Sequence, residues 1–361
     1  MSAIGEASQE SGLGASEPAA AAASAEGIDG VDTINTIMLR GGEGLRERMV
    51  RVERHLEQVT ERAGAPLASH ATATVRAGGK RLRPLLVVVA AESAGGPPDT
   101  PEGEERLLRA AVAVELVHSA TLVHDDLIDG AQLRRGHPTV AAQAGREVAV
   151  ATGDLLFSLA FAELARNESA TQLRALSDAS SALAAGELLQ REDAYAAHVP
   201  VERYLRRCEL KTAALFEAAC RLGALTAAEG SDELADALGA FAQRIGLAFQ
   251  MLDDVLDVSG PVERTGKARG TDLLDGTVTL PFILAREREP ELAGFDLEAL
   301  KTPEQAEQLC ERIAATGALA QARERALGVV AEAKAALPAI LPDGRAALLS
   351  LVADAVVERY R

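Results

Sequence analysis

The chain has 361 residues, 48% of them hydrophobic, and is therefore long enough for one large domain or two ordinary ones. Its 54 Asp and Glu outnumber its 37 Lys and Arg, and the resulting net charge of −17 argues against a nucleic-acid-binding protein or a polybasic membrane anchor. Three cysteines without a CxxC pair support neither a disulfide framework nor a structural zinc site. We expect small molecules, metal ions or other proteins as partners, in a reducing, cytoplasmic setting.

Residues 1–30 combine Ala, Ser, Gly and Glu with almost no large apolar side chains, and the first basic residue is Arg40. This composition predicts a disordered acidic tail, followed by a folded domain over residues 31–361. The N-terminal residues lack the pattern of a signal peptide, and the chain contains no uncharged apolar stretch of 18 residues. We therefore expect no membrane anchor.

Beyond the tail, the hydrophobic pattern is helical. Over residues 44–59, apolar residues recur at three- and four-residue steps between charged ones, and similar patterns cover residues 105–126, 147–166, 232–258 and 345–360. The run LLVVVAAE (85–92) is rich in β-branched residues, but a proline in its first turn and an Ala-rich continuation favour a buried helix. The sequence predicts an all-α fold.

Two segments inside apolar helical sequence share the spacing D-D-x-x-D. The two clusters are Asp125, Asp126 and Asp129, and Asp253, Asp254 and Asp257. On a helix, the first and last carboxylates of each cluster share a face. Such crowded carboxylates repel one another unless a cation lies between them, and oxygen ligands of this kind suit Mg²⁺ completed by a phosphate. One cluster alone would equally fit a solvated helix face, but two matched clusters favour a metal site.

Basic residues alternate with the acidic clusters along the chain. They are Lys80, Arg81 and Arg83 after two glycines, Arg134 and Arg135 after the first cluster, Lys211 next to Thr212, and Lys267 after the second cluster. The first group lies at a predicted helix N-terminus, which favours anion binding. Each group alone would fit ordinary surface charge, but the alternation favours a site for a metal-bound diphosphate.

In this order, the motifs resemble those of the polyprenyl synthetase family, the trans-isoprenyl diphosphate synthases, over residues 45–361. The matching segments are GGKRLRP, ELVHSATLVHDDLIDGAQLRRGHPT, VATGDLLF, GELLQ, KT, GLAFQMLDDVLD and GKARGTDLLDGTVTLP. The resemblance implies an all-α, single-domain isoprenoid synthase fold of antiparallel helices around a central cavity, which overrides the two-domain expectation from length. It also implies a homodimer.

The same resemblance implies a prenyltransferase that condenses isopentenyl diphosphate with an allylic prenyl diphosphate to an all-trans polyprenyl diphosphate. Both aspartate clusters would hold Mg²⁺, up to three ions per site. Residues that match the allylic diphosphate site are Arg134, Lys211, Thr212, Gln250 and Lys267, and residues that match the isopentenyl diphosphate site are Lys80, Arg83, His118 and Arg135. The implied catalytic set is Asp125, Asp126, Asp129, Arg134, Lys211, Asp253, Asp254 and Lys267.

Some of these residues also have a structural interpretation. A lone histidine on an apolar helix is more often a core residue, although His118 lies two helical turns before Asp125 on the same face. Glu187 and Gln190 in GELLQ match a motif that lines the cavity, with a structural or a catalytic role open. Gly130, Ala131 and Gln132 replace a turn that is often more acidic in the family.

Chain length depends, by resemblance, on the residues just before the first cluster. Ala120 and Thr121 lie where short-chain relatives tend to carry an aromatic residue. Their small size predicts an open tunnel that continues past Val117, Leu116 and Ala113, and a product longer than C20, suited to a menaquinone or ubiquinone side chain. Alternatively, the stop is supplied by Phe157, Phe161 or Phe216. Release of such a product would involve transient membrane contact.

Three other readings stay open at this point. A class I terpene cyclase also uses an aspartate-rich motif, but it does not need GGKRLRP, RRG and a complete second cluster. A short-chain geranylgeranyl or farnesyl diphosphate synthase is opposed only by the small residues Ala120 and Thr121. A non-catalytic subunit of a heteromeric synthase is opposed by the integrity of both clusters.

Overall fold

The computed structural model describes residues 28–196, 198–260, 269–342 and 344–358. The helices are α1 (Ile28–Arg40), α2 (Gly42–Glu61), α3 (Leu67–Arg76), α4 (Leu82–Ser93), α5 (Pro101–Ile128), α6 (Val140–Ala144), α7 (Arg146–Ala165), α8 (Ala170–Asp193), α9 (Val201–Cys208), a π-helix (Glu209–Ala213), α10 (Ala214–Thr226), α11 (Asp232–Ser259), α12 (Thr271–Leu274), α13 (Leu280–Arg288), α14 (Pro290–Ala293), a 3₁₀ turn (Leu297–Ala299), α15 (Pro303–Ala315), α16 (Ala318–Ile340) and α17 (Ala347–Glu358).

Helix α5 is the centre of the fold. The Thr100 side chain caps its N-terminus by accepting a hydrogen bond from the Gly103 amide at 3.0 Å, and Pro101 occupies its first turn. Every residue from 107 to 117 is buried, because α4, α7 and α10 pack around the helix. The last turn leaves this core and carries the first aspartate cluster to the surface.

Helix α11 carries the second cluster in the same way. Ser231 caps its N-terminus by accepting from the Leu234 amide at 3.2 Å, and one face packs against α10 and α16. Asp253, Asp254 and Asp257 lie in its last two turns, before the helix ends at Ser259. Both clusters therefore lie at the C-terminal end of a long core helix.

The π-helix lies between α8 and α11, and both neighbours approach it at a glycine. A Cβ added to Gly186 of α8 would lie 2.5 Å from the Lys211 backbone nitrogen, and one added to Gly246 of α11 would lie 2.8 Å from the Ala213 Cα. Only glycine permits backbones to pack this closely. The contact holds Lys211 and Thr212 between the helices that bear the site.

The prediction of an all-α, single-domain fold is confirmed, and residues 85–92 are helical within α4. One feature was not predicted, a hairpin of two short antiparallel strands, Leu133–Arg134 (β1) and His137–Pro138 (β2). Arg135 and Gly136 form the two-residue turn, both with positive φ, 52° and 76°. Of the predicted tail, residues 1–27 lie outside the described residues, whereas 28–30 already belong to α1.

Two helices in the described part of the chain are long and apolar enough to cross a membrane by length and composition, α5 and α7. The structure buries 72% of the most apolar window of α5 but only 33% of that of α7. Helix α5 is thus the core helix of the fold. Helix α7 keeps an apolar face that the described part of the chain does not cover, with Phe157 and Phe161 half-buried and Val150 and Ala162 exposed.

Candidate active site

The three carboxylates of the first cluster have different surroundings. Asp126 is buried and accepts a hydrogen bond from Arg134 Nε at 2.6 Å. Asp129 is the C-cap residue of α5, and its Oδ1 accepts from Arg191 Nη2 at 2.5 Å. Asp125 faces Lys211 and Glu187. Burial raises the pKa of Asp125 to about 6, with Glu187 and Asp129 adding to the rise and Lys211 opposing it.

Glu187 connects the first cluster to the π-helix. Its Oε1 accepts a hydrogen bond from Arg191 Nε at 3.1 Å, and its Oε2 accepts from Lys211 Nζ. Asp129, Arg191, Glu187 and Lys211 therefore form a continuous series of ion pairs from the end of α5, across α8, to the π-helix. This series fixes Lys211 beside Asp125.

The second cluster is connected to the same π-helix. Buried Asp254 accepts from Tyr204 Oη at 2.6 Å and from Gln250 Nε2 at 2.8 Å. Thr212 Oγ1 donates to Gln250 Oε1 at 2.7 Å, which fixes the orientation of the amide. Burial raises the pKa of Asp254 to about 6, although both hydrogen bonds oppose the rise. Asp253 and Asp257 are half-buried on the same helix.

The two clusters offer the oxygen donors of a divalent-ion site without forming a closed site. Within the described ranges, no three His, Cys, Asp or Glu side chains converge into a ready-made metal site, and Arg134 and Arg191 contact oxygens of Asp126 and Asp129. The donors are nevertheless carboxylate oxygens, which Mg²⁺ prefers, and burial leaves Asp125 and Asp254 with raised pKa values that a nearby cation would lower. The residues fit Mg²⁺ whose coordination is completed by a phosphate.

A cationic subsite lies next to the first cluster. Burial lowers the pKa of Arg83 to about 10, and Arg135 adds to the fall. The Arg83 Nε is buried without a hydrogen-bond partner among the described residues. Burial, and then Arg83 and Arg135, push the pKa of His118 well below its usual range. Several cations in one recess, with an unused donor, are typical of a site for a multiply charged anion.

Arg81, the middle basic residue of GGKRLRP, belongs to the frame of this subsite. Its guanidinium donates to Glu53 Oε1 at 2.6 Å, to Glu115 Oε1 at 2.8 Å and to the Val75 carbonyl at 2.7 Å. Its backbone has a left-handed φ of 47°. Arg81 therefore positions the segment, while Lys80 remains exposed and Arg83 points into the recess.

Close packing in the anion subsite explains why residue 79 is a glycine. A Cβ at Gly79 would lie 2.9 Å from Arg135 Nη1, so the guanidinium of Arg135 packs directly on the backbone before Lys80. The four residues of the anion subsite come from neighbouring elements. Lys80 lies in the turn before α4, Arg83 on α4, His118 on α5 and Arg135 in the turn between β1 and β2. These four residues come from residues 80–135, and the Phe216 ring of α10 lies beside them, with its centroid 5.1 Å from the Arg83 guanidinium.

A cavity of about 650 Å³ opens beside the first cluster, between α3, the end of α5 and the hairpin. Asp126, Arg134 and Arg135 line one side of it, and Leu122 and Val140 line another. This volume is within the range of small-molecule sites. The cavity thus joins guanidinium groups and apolar surface in one space.

The structure brings together most of the predicted residues. Asp125 lies by Lys211, Asp126 by Arg134, Thr212 and Gln250 by Asp254, and Arg83 by His118 and Arg135. Lys267 lies outside the described residues. Arg191, Tyr204 and Glu115 were missed. For Arg191 a signal existed, because it follows Glu187 by four residues on a helix.

The residues of the predicted tunnel lie at different depths. Thr121 is half-buried and its Oγ1 donates to the His118 carbonyl at 2.8 Å, whereas Ala120 is fully buried. Val117, Leu116 and Ala113 are also fully buried, so the accessible face of this part of α5 ends at His118. Helices α4, α7 and α10 pack around the buried part of α5. Among the alternative stops, Phe216 is buried beneath Arg83, whereas Phe157 and Phe161 are half-buried.

Comparison with known proteins identifies related chains. Residues 65–316 match the family model described as polyprenyl synthetase. Heptaprenyl diphosphate synthase component 2 of Geobacillus stearothermophilus is 40% identical over 245 residues, 68% of this chain and 74% of the relative. Geranylgeranyl diphosphate synthase of Methanosarcina mazei is 39% identical over 258 residues, 70% and 77% of the two chains. The crystal structure of a polyprenyl synthase from Caulobacter crescentus CB15, complexed with calcium and isoprenyl diphosphate, superposes with a TM-score of 0.80 at 35% identity, covering 93% of this chain and 100% of that one.

Proposed function

The chain belongs to the polyprenyl synthetase family, and from this premise we propose that it condenses isopentenyl diphosphate with an allylic prenyl diphosphate to an all-trans polyprenyl diphosphate. One observation supports the proposal most directly. Two aspartate clusters on separate helices are both connected to the π-helix between them, the first through Lys211 and the second through Thr212. This arrangement suits a substrate whose diphosphate is bound by both clusters at once.

The acidic half of the site would bind the allylic diphosphate. Its six carboxylates, Asp125, Asp126, Asp129, Asp253, Asp254 and Asp257, would hold up to three Mg²⁺ ions. When bound, Mg²⁺ acts as a Lewis acid that neutralises charge on the departing diphosphate. Lys211 and Arg134 would donate hydrogen bonds to the same group, with Lys267 as a further candidate. Thr212 would orient Gln250 through the hydrogen bond already present.

The cationic half would bind isopentenyl diphosphate through Lys80, Arg83, His118 and Arg135. The low pKa of His118 keeps its ring neutral at pH 7, so it would donate a hydrogen bond without adding charge. The unused Nε of Arg83 would find its acceptor in the diphosphate. With both substrates in place, the allylic C–O bond breaks, which releases diphosphate and leaves an allylic cation. The isopentenyl double bond then forms a carbon–carbon bond to C1 of this cation. A proton passes from the resulting cation to the released diphosphate, and the product keeps the diphosphate of the isopentenyl unit.

The surroundings of the reacting carbons would protect the allylic cation from water. The carboxylates lie at the ends of core helices, and the accessible face of α5 between them and the core carries Leu122, Thr121 and His118. Exclusion of water at this partly buried face would favour reaction with the second substrate over hydrolysis. The face would also accommodate the growing prenyl chain.

We propose a product longer than C20, suited to a quinone side chain. The 40% identical relative is named a heptaprenyl diphosphate synthase component, and Thr121 leaves the level below Asp125 without an aromatic side chain. A short-chain product is the second candidate, for two reasons. A geranylgeranyl diphosphate synthase is 39% identical, and the accessible face of α5 ends at His118.

For assembly we propose a homodimer through α7, whose apolar face the described residues leave uncovered. The name "component 2" of one relative raises a second possibility, a heteromeric enzyme with this chain as one component. The aspartate clusters and Lys211 support a catalytic role in either assembly. We further propose that the protein is cytoplasmic and contacts the membrane only to release its product.

The test is a product-length assay. Purified protein, Mg²⁺ and isopentenyl diphosphate are combined separately with C5, C10, C15 and C20 allylic primers, and the dephosphorylated products are sized by mass spectrometry. We expect Mg²⁺-dependent products beyond C20. Arrest at C15 or C20 would favour the short-chain candidate. Elongation from none of the primers would contradict the proposal that this chain alone is the enzyme.

A further inference from the structure

Arg191 holds two carboxylates of the acidic half, although the family motifs do not single it out. Its Nη2 lies 2.5 Å from Asp129 Oδ1 and its Nε lies 3.1 Å from Glu187 Oε1. Glu187 precedes Arg191 by four residues on α8, so both belong to the same helix face, whereas Asp129 comes from the end of α5. The Arg191 guanidinium thus binds an oxygen of Asp129, which is a proposed metal ligand.

The ion pair between Arg191 and Asp129 is exposed enough for a divalent cation to displace the guanidinium. The side chains of Arg191 and Asp129 are 40% and 35% exposed, whereas in the pair of Arg134 with Asp126 the carboxylate is only 8% exposed. Exposed ion pairs contribute little because water already screens both charges. Loss of the Asp129 contact would leave Arg191 held to Glu187, and therefore still beside the cluster.

Arg191 and Lys211 link the carboxylates around the end of α5. Asp129 is the C-cap residue of α5, one turn after Asp125, and Glu187 of α8 shares the Arg191 guanidinium with Asp129. Among the described residues, Lys211 contacts Glu187, and Arg191 contacts both Glu187 and Asp129. The positive charge of Arg191 therefore reduces the repulsion between these carboxylates before a divalent ion binds.

We propose that Arg191 is a built-in counter-cation of the first aspartate cluster, which competes with the divalent ion for Asp129 and so sets the concentration at which the site fills. The inference rests on the proposed function, because it takes Asp129 to be a metal ligand. Arg191 is a positioning residue in this scheme. It acts through Asp129 and has no contact with the reacting carbons.

The test measures metal binding without catalysis. Mn²⁺ is titrated into the protein in the absence of substrate, and free Mn²⁺ is followed by electron paramagnetic resonance. Removing one exposed competing ion pair is expected to tighten Mn²⁺ binding about two- to fivefold in Arg191→Gln. The matched control is Arg312→Gln, because Arg312 also bridges two carboxylates, Glu289 at 2.8 Å and Glu291 at 3.4 Å, and its side chain is 37% exposed, close to the 40% of Arg191. It should bind Mn²⁺ like the wild type.

A double-mutant cycle identifies the carboxylate involved. In an Asp129→Asn background, Arg191→Gln should no longer change Mn²⁺ binding, because the contested oxygen is gone. Unchanged or weaker Mn²⁺ binding in Arg191→Gln, or a gain that persists without Asp129, would overturn the proposal. The proposed function is tested separately. If the wild type elongates primers but Arg191→Gln binds Mn²⁺ as the wild type does, only the counter-cation proposal is refuted. If Arg191→Gln binds Mn²⁺ more tightly but the wild type elongates no primer, only the proposed function is refuted.

Discussion

Lys211 and Thr212 are adjacent in the sequence, yet their side chains serve different aspartate clusters. Lys211 donates to Glu187 beside Asp125, whereas Thr212 donates to Gln250, which in turn donates to Asp254. Successive side chains on a helix point in different directions, about 100° apart in an α-helix and somewhat less in the wider π-helix, so neighbours can face different helices. One residue step therefore spans the two halves of the acidic site.

Replacing Lys211 by methionine should abolish most of the activity. The substitution keeps a long side chain but removes the charge that lies beside Asp125 and Glu187. Loss of one preorganised donor to a developing anion typically lowers kcat by about 10²–10³. The measurement is single-turnover elongation with a saturating allylic primer. Lys334→Met is the control, because Lys334 pairs with Asp354 at 2.6 Å on other helices, and it should elongate at the wild-type rate.

Metal should stabilise the protein more at pH 7.5 than at pH 5.5. Burial raises the pKa values of Asp125 and Asp254 from an ordinary 3.8 to about 6. Because the folded state binds these protons more tightly than the unfolded state, their contribution to the stability of the metal-free protein is lost as the pH rises from about 4 through 6. Above pH 6 both carboxylates are ionised and can therefore bind a cation without first losing a proton. The increase in Tm with Mg²⁺ and inorganic pyrophosphate should be larger at pH 7.5.

Pyrophosphate itself takes up protons over this range, so the variant Asp125→Asn is the control. With one titrating carboxyl removed, the difference between the two pH values should shrink. An equal difference in Asp125→Asn and the wild type would contradict the assignment to Asp125.

Gly246→Ala should destabilise the protein and displace the π-helix. The new methyl group would meet the Ala213 Cα at 2.8 Å and Phe216 side-chain carbons at 3.0 Å, and neither can move freely. Overpacking of this kind typically lowers the free energy of unfolding by about 1–3 kcal/mol. Urea unfolding measures the loss. Gly328→Ala in α16 is the control, since its Cβ would meet nothing within 4 Å, and it should stabilise by up to about 1 kcal/mol.

Thr121→Phe should shorten the product. Thr121 lies one turn below Asp125 on the accessible face of α5, so an aromatic ring there would block the growing chain. Mass spectrometry of the dephosphorylated products should show a distribution shifted by at least one five-carbon unit. Thr121→Ser keeps the hydroxyl that donates to the His118 carbonyl and should give the wild-type distribution. An unchanged product in Thr121→Phe would place the stop on another helix.

Ala162→Arg should dissociate the proposed homodimer. Ala162 lies exposed on the apolar face of α7, so a large charge there would be buried without a partner in a dimer but solvated in a monomer. Analytical ultracentrifugation should show a smaller species while circular dichroism stays unchanged. Val50→Arg, at an exposed apolar residue on α2, should leave the assembly as it is. A dimer that survives Ala162→Arg would remove α7 from the interface.

The sequence predicted the parts of this molecule that follow from local pattern. Apolar periodicity marked the helices, and the repeated D-D-x-x-D spacing marked both clusters, because these signals lie within a few residues of one another. The contacts that complete the site join distant segments. Tyr204 and Asp254 are 50 residues apart, and their hydrogen bond depends on how α9 packs against α11, which no short motif encodes.

The tunnel illustrates the same limit. Small residues at Ala120 and Ala113 are compatible with an open channel or with closely packed helices, and only the three-dimensional arrangement decides between them. In the structure α4, α7 and α10 pack around the buried part of α5. The π-helix was equally hidden, since its sequence ELKTA resembles any stretch of amphipathic helix.

The location of the anion subsite within residues 80–135 bears on how the site forms during translation. The ribosome releases the chain from its N-terminus, so α4, α5 and the hairpin emerge well before α11. A nascent chain therefore holds Lys80, Arg83, His118 and Arg135 long before the second aspartate cluster exists. The buried charge of Arg81 needs no later segment, because Glu53 and Glu115 have already been made. The basic residues of the anion subsite are therefore made first, whereas the metal site is assembled only after α11 has followed.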